Sequence, residues 1–157
     1  MRIGVDAGSL SEYQKTGVSR FSLSLLKQLK KIDKENQYLI FDKPRCGWRY
    51  FWLPLLVYLN KVDVFLGLNQ ALPIILPCPS VVLIYDLAFE YFPESYSDHG
   101  RRLKRLTRHA VKKADKIIVL SQSTKKDLIK LYKVASKKIV VIYDGCEKSD
   151  KIGKSSL

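Results

Sequence analysis

The residues best suited to chemistry stand at the ends of short apolar runs. Val81-Val82-Leu83-Ile84 leads directly into Tyr85-Asp86, a pattern that suits a buried parallel strand delivering a polar pair at its carboxyl end. A carboxylate there can hydrogen-bond ligand hydroxyls, orient a substrate or serve as a base. The same Asp86 also suits a cap on the segment that follows. In an open parallel sheet, ligands bind outside the carboxyl ends of the strands. That rule gathers the Gly8–Gly17 loop, Asn69, Tyr85-Asp86, Ser121 and Asp144-Gly145 on one rim. Within the first loop, Thr16-Gly17 lies where a strand turns into a helix, and a glycine there lets backbone N–H groups approach a phosphate. The spacing G-x-G-x-x-G is missing, so this is no dinucleotide fingerprint, and a plain turn glycine is the alternative.

These positions need a scaffold, and the hydrophobic pattern supplies one. Arg2–Asp6 is a first strand, and Val18, Phe21, Leu25 and Leu29 mark the buried face of a helix. Gln37–Asp42 and Val62–Leu66 are the second and third strands, with a Pro-rich loop, Gly67–Pro79, before the fourth. Beyond Pro93, Leu103, Leu106, Ala110, Val111 and Ala114 recur at helical steps. Lys116–Ser121 is a strand. Ser121 or Ser123 caps a helix carrying Leu128, Leu131 and Tyr132, and Ile139–Ile142 is the last strand. Strands alternating with helices require crossover connections, so the expected fold is α/β: a Rossmann-like parallel sheet with helices on both faces.

Trp48–Leu59 stands apart: only Arg49 interrupts a run of apolar and aromatic residues. Twelve residues make a helix of about 18 Å, too short to cross a bilayer. Either it is a core helix kinked at Pro54, or it is an interfacial helix that dips into lipid with Trp and Tyr at headgroup level.

The 157 residues support one domain, expected over 1–146, with a flexible Lys- and Ser-rich tail at 147–157. A strand-like start directly after Met1 leaves no room for a signal peptide and implies a cytoplasmic protein. Three widely separated cysteines suggest neither disulfide nor metal site. The net charge of +13 is concentrated. Between His99 and Lys138 there are fourteen Lys or Arg and two acids. Arg101, Arg102, Lys104, Arg105, Arg108 and Lys112 form its densest part, a surface for anionic lipid, nucleic acid or phosphorylated substrates, or else a solvated face. Nucleic acid is the weaker choice, because no binding motif accompanies the charge.

The series Tyr85-Asp86-Leu87-Ala88-Phe89-Glu90, Phe92-Pro93-Glu94, Arg105-Leu106-Thr107, Ala110-Val111, Ala114-Asp115, Ile117-Ile118, Ser121, Ser123-Thr124-Lys125, Asp127-Leu128 and Val141–Gly145 resembles the family-4 glycosyltransferases. What it resembles is the amino-terminal, acceptor-side domain of their two-domain GT-B fold. The resemblance implies a retaining, metal-independent transfer of a hexose from a nucleotide-sugar to a lipid-linked or saccharide acceptor. It implies no cofactor: the nucleotide-sugar is a substrate, held mainly by a carboxyl-terminal donor-binding domain that this stretch does not include. That domain, or a separate subunit, is the implied partner, so the chain alone is expected to be inactive. The strand-end rule makes Asp86 the best catalytic candidate; the resemblance adds Tyr85, where the family has a cleft-lining histidine, and places Gly17, with Thr16 beside it as a substrate-binding candidate, near the donor phosphates. Two departures stand out. The family's usual His-Asp is Tyr85-Asp86 here, and its Ser-Glu is Ser121-Gln122. Tyrosine can donate a hydrogen bond and stack on a sugar ring, but it does not exchange a proton near neutral pH as imidazole does. A basic surface at the inner membrane face is the corresponding location. A non-catalytic remnant or scaffold is the alternative.

Overall fold

A computed structural model describes residues 1–7, 17–42 and 46–145. The Gly8–Gly17 loop up to and including Thr16, and the tail at 147–157, lie outside the described residues. Six strands form one sheet: β1 (Arg2–Asp6), β2 (Gln37–Phe41), β3 (Val64–Gly67), β4 (Ser80–Ile84), β5 (Lys116–Val119) and β6 (Ile139–Val141). Their order is β2-β1-β3-β4-β5-β6, and all five pairings are parallel. The α/β Rossmann-like arrangement expected from the alternating pattern is therefore the observed one.

The two faces are covered unequally. On one, α2 (Leu53–Leu59), α4 (Pro93–Lys113) and α5 (Gln122–Tyr132) close the larger core, built around Phe65, Val82, Ile84, Ile117 and Val119. On the other, α1 (Gly17–Ile32) covers Val5, Leu68 and Leu83. An apolar groove stays open beside it, lined by Phe21, Leu25, Leu66, Leu83, Ile118 and Leu120.

Three local expectations change. Val18 is exposed, and the most buried positions of α1 are Ser19, Ser22 and Leu26. Phe21 and Leu25 still pack against that core, and Ser22 beside them meets a tyrosine hydroxyl. Pro54 does not interrupt the Trp48–Leu59 segment. A single π-helical turn, Trp48–Trp52, passes into α2, and Pro54 sits in the first turn, where its missing N–H costs nothing. Nor is the segment a fully buried core helix: Leu53 and Val57 point inward while its opposite face is open. One helical turn, α3 (Ala88–Tyr91), precedes α4 and is too short to show a periodicity in the sequence.

Candidate active site

The carboxyl ends of β1, β3 and β4 converge on a cleft of about 280 Å³. Its walls come from the amino-terminal end of α1, the π turn, the loop after β3, the end of β4, and α4. Asp86, Asn69, Gln70, Arg49 and His99 supply polar groups; Tyr85, Phe89 and Tyr96 supply aromatic surface.

Asp86 is exposed at the rim, and its Oδ1 accepts the Ala88 N–H at 2.9 Å. The carboxylate thus faces the cleft and also anchors the start of α3. Tyr85 lines the same cleft, yet its ring stands edge-on to Phe21, and its hydroxyl and Ser22 Oγ lie 2.5 Å apart. Burial pushes the Tyr85 phenol up to about 12, the Ser22 contact opposing that shift only in part. The phenol is thus a neutral hydrogen-bonding group rather than a proton carrier.

Asn69 lies in the cleft beside Gln70, whose backbone takes a positive φ of 52° and whose Oε1 accepts a bond from Thr107 at 3.2 Å. A non-glycine residue in that conformation is uncommon, and the bond to α4 helps to hold it there. Gly17 is the first residue of α1, while its neighbours Val18 and Ser19 line the cleft. Ser121 is not among the residues lining it. Its Oγ accepts the Thr124 N–H at 3.1 Å and caps α5. Thr124 Oγ1 in turn donates to the Tyr85 carbonyl at 3.3 Å, so this cap steadies the end of β4 from behind.

The basic residues of α4 separate by direction. Arg102 lines the cleft. Lys104 turns the other way and binds Glu90 at 2.6 Å, and Glu90 also accepts the Tyr132 hydroxyl. Burial alone would raise the Glu90 carboxyl, but the Lys104 and Tyr132 bonds outweigh it and hold that group below its usual range. Arg101, Arg105, Arg108 and Lys112, spaced four, three and four apart, share an outward face.

Arg49 and His99 were not read as site residues from sequence. Arg49 had one signal, as the sole charge in its apolar segment. Its Nε reaches the Asp6 carboxylate at 3.3 Å, and Trp48 Nε1 donates to the same carboxylate at 3.2 Å. His99 sits on a helix far along the chain, and only the packing of α4 brings it to the rim.

The model of Glycosyltransferase Family 4 matches residues 20–149. The chain belongs to glycosyltransferase family 4. That match bears out the resemblance read from Tyr85 to Gly145, and with it glycosyl transfer as the chemistry of the fold. No curated protein matches this family-4 chain. No helix among its described residues is long and apolar enough to cross a membrane.

Proposed function

We propose that this family-4 domain is the acceptor-binding half of a retaining hexosyltransferase. It would pass a hexose from a nucleotide-sugar to a lipid-linked or saccharide acceptor without a metal or cofactor of its own. The observation that carries the reading is the cleft at the carboxyl edge of the sheet, with Asp86 at its rim. Asn69 and Gln70 supply amides to hydrogen-bond sugar hydroxyls, and Phe89 and Tyr96 supply flat apolar surface. Asp86 orients the acceptor hydroxyl or accepts its proton. The amino-terminal turn of α1, with Gly17 at its start, offers backbone N–H groups to donor phosphates.

The donor is held chiefly by a carboxyl-terminal domain or separate subunit. The open apolar groove beside α1 supports this, since parallel sheets are ordinarily covered on both faces. Without that second half, the leaving diphosphate has only the α1 turn and Arg102 among the described residues to meet it, and its stabilisation is usually the largest catalytic contribution. The outward stripe of Arg101, Arg105, Arg108 and Lys112 rests on anionic headgroups at the inner membrane face. The non-catalytic alternative draws its support from Tyr85, whose hydroxyl is committed to Ser22 rather than to the cleft.

The deciding experiment measures hexosyl transfer by the chain with and without a supplied donor half, across several nucleotide-sugars. Transfer that appears only with both halves, and is lost in Asp86→Asn, is the expected result. No transfer with any donor half would leave the scaffold reading in its place.

A further inference from the structure

The segment Trp48–Leu59 presents two apolar faces. Leu53 and Val57 fill the core, while Tyr50, Phe51, Trp52, Leu55, Tyr58 and Leu59 point outward. Phe51 is 73% exposed and Tyr58 68%. Positions 51, 55, 58 and 59 follow helical spacing, so they form a continuous stripe rather than scattered single exposures. Ile75, 64% exposed, extends the patch from the neighbouring loop. Contiguous apolar surface of this kind marks a contact with something.

From this surface we infer that the stripe is an insertion collar that enters the headgroup and upper acyl region of an anionic bilayer. Three features select that occupant. First, the patch adjoins the basic helix: Pro73 carbonyl and His109 Nε2 of α4 are 3.3 Å apart, and the next residue, Ile74, donates its N–H to the Arg49 carbonyl at 3.2 Å. The loop therefore bridges the aromatic segment to α4 at His109, one turn from both Arg105 and Lys112, and brings apolar and cationic surface onto one flank, the pairing that interfacial surfaces use. Second, a second copy is disfavoured, because α4 carries seven Lys or Arg against two acids and stacking two such flanks sets like charges together. Third, the ridge does not close the cleft. It runs along α2 toward the opposite edge of the sheet, where Val62 N–H bonds Val57 and Asp63 N–H bonds the Arg2 carbonyl. A lobe closing over the cleft would leave it uncovered. The inference concerns this flank alone and does not require the cleft to transfer sugar.

The chain's two tryptophans, Trp48 and Trp52, both lie in this segment, so its fluorescence reads the collar directly. The test mixes the protein with vesicles of phosphatidylcholine alone or of equal parts phosphatidylglycerol and phosphatidylcholine, with brominated acyl chains as quencher. Trp48→Phe leaves Trp52 as sole reporter; wild type and Trp52→Phe bracket it should that variant fold poorly. Expected is a blue shift and strong quenching with the anionic vesicles, lost in Trp52→Phe, and about tenfold weaker partition in Phe51→Ser/Tyr58→Ser. Sedimentation with anionic vesicles but unquenched Trp52 would show attachment through α4 alone and overturn the collar. So would a Trp52 blue shift that follows protein concentration without lipid, which would assign the face to a second copy.

Discussion

The Asp6 carboxylate and the Arg49 guanidinium meet 3.3 Å apart where β1 ends and the π turn begins. Asp6 is 2% exposed, so this ion pair ties the innermost part of the sheet to a wall of the cleft. Removing one partner of such a pair leaves a charge poorly compensated, whereas removing both relieves it. Arg49→Met is therefore expected to cost about 3 kcal/mol in urea unfolding. Combining it with Asp6→Asn should recover part of that loss, a coupling that a double-mutant cycle measures. Strictly additive costs would show that the pair contributes nothing of its own.

Two glycines of the rim make opposite predictions. A Cβ on Gly67, at the end of β3, would stand 2.6 Å from the Ala71 carbonyl oxygen, a backbone atom that cannot swing aside. Gly67→Ala should cost about 2 kcal/mol through forced backbone movement. A Cβ on Gly17 meets nothing within 4 Å among the described residues. Gly17→Ala should leave stability within about 0.5 kcal/mol of wild type, yet raise KM for the nucleotide-sugar if the donor phosphates need this backbone bare. An unchanged KM makes Gly17 a turn residue only.

Much of the fold was legible because the pattern is local. Alternating four- to six-residue apolar runs and helical spacing sufficed for six parallel strands and the helices that cover them. The short α3 escaped because four residues carry no periodicity. The cleft was legible only where its lining coincides with a strand end, as at Asp86 and Asn69. Arg49, Gln70 and His99 come from a π turn, a strained loop and a distant helix, and only tertiary packing brings them together. Ser121 illustrates the converse. It lies at a strand end on the correct edge, yet its hydroxyl is spent on capping α5.

Tyr85 couples stability to alkaline pH. Burial raises its phenol to about 12 from an ordinary value near 10. Between those values the unfolded chain has released the proton and the folded chain has kept it. Stability present below pH 10 is therefore lost as pH climbs toward 12, by about 1.4 kcal/mol per unit from this residue. Tyr85→Phe should flatten that part of the curve, at a cost near neutrality of about 1 kcal/mol for the lost Ser22 bond. Identical alkaline slopes in the two proteins would place the titration elsewhere.

Glu90 works in the opposite direction. Burial opposes its ionisation, but Lys104 and Tyr132 hold its carboxyl below the ordinary range. Its contribution is present above the unfolded carboxylate value and is lost as pH falls through the lower, folded one. Glu90→Gln should be less stable at neutral pH and show a shallower acid limb in unfolding experiments from pH 7 downward. A variant that keeps the wild-type acid limb would remove Glu90 from the account.

Asp86 allows its two roles to be separated. One carboxylate oxygen accepts the Ala88 N–H where α3 begins, and an amide oxygen can accept the same N–H. Asp86→Asn should therefore melt like wild type, whereas Asp86→Ala should lose about 1 kcal/mol with that hydrogen bond. With a donor half supplied, both substitutions remove the negative charge at the rim, so both should lower kcat by about a hundredfold. If Asn retains full kcat while Ala does not, the residue serves the reaction only by holding α3 in place. The carboxylate's proposed part in activating the acceptor then falls, although the cleft itself remains.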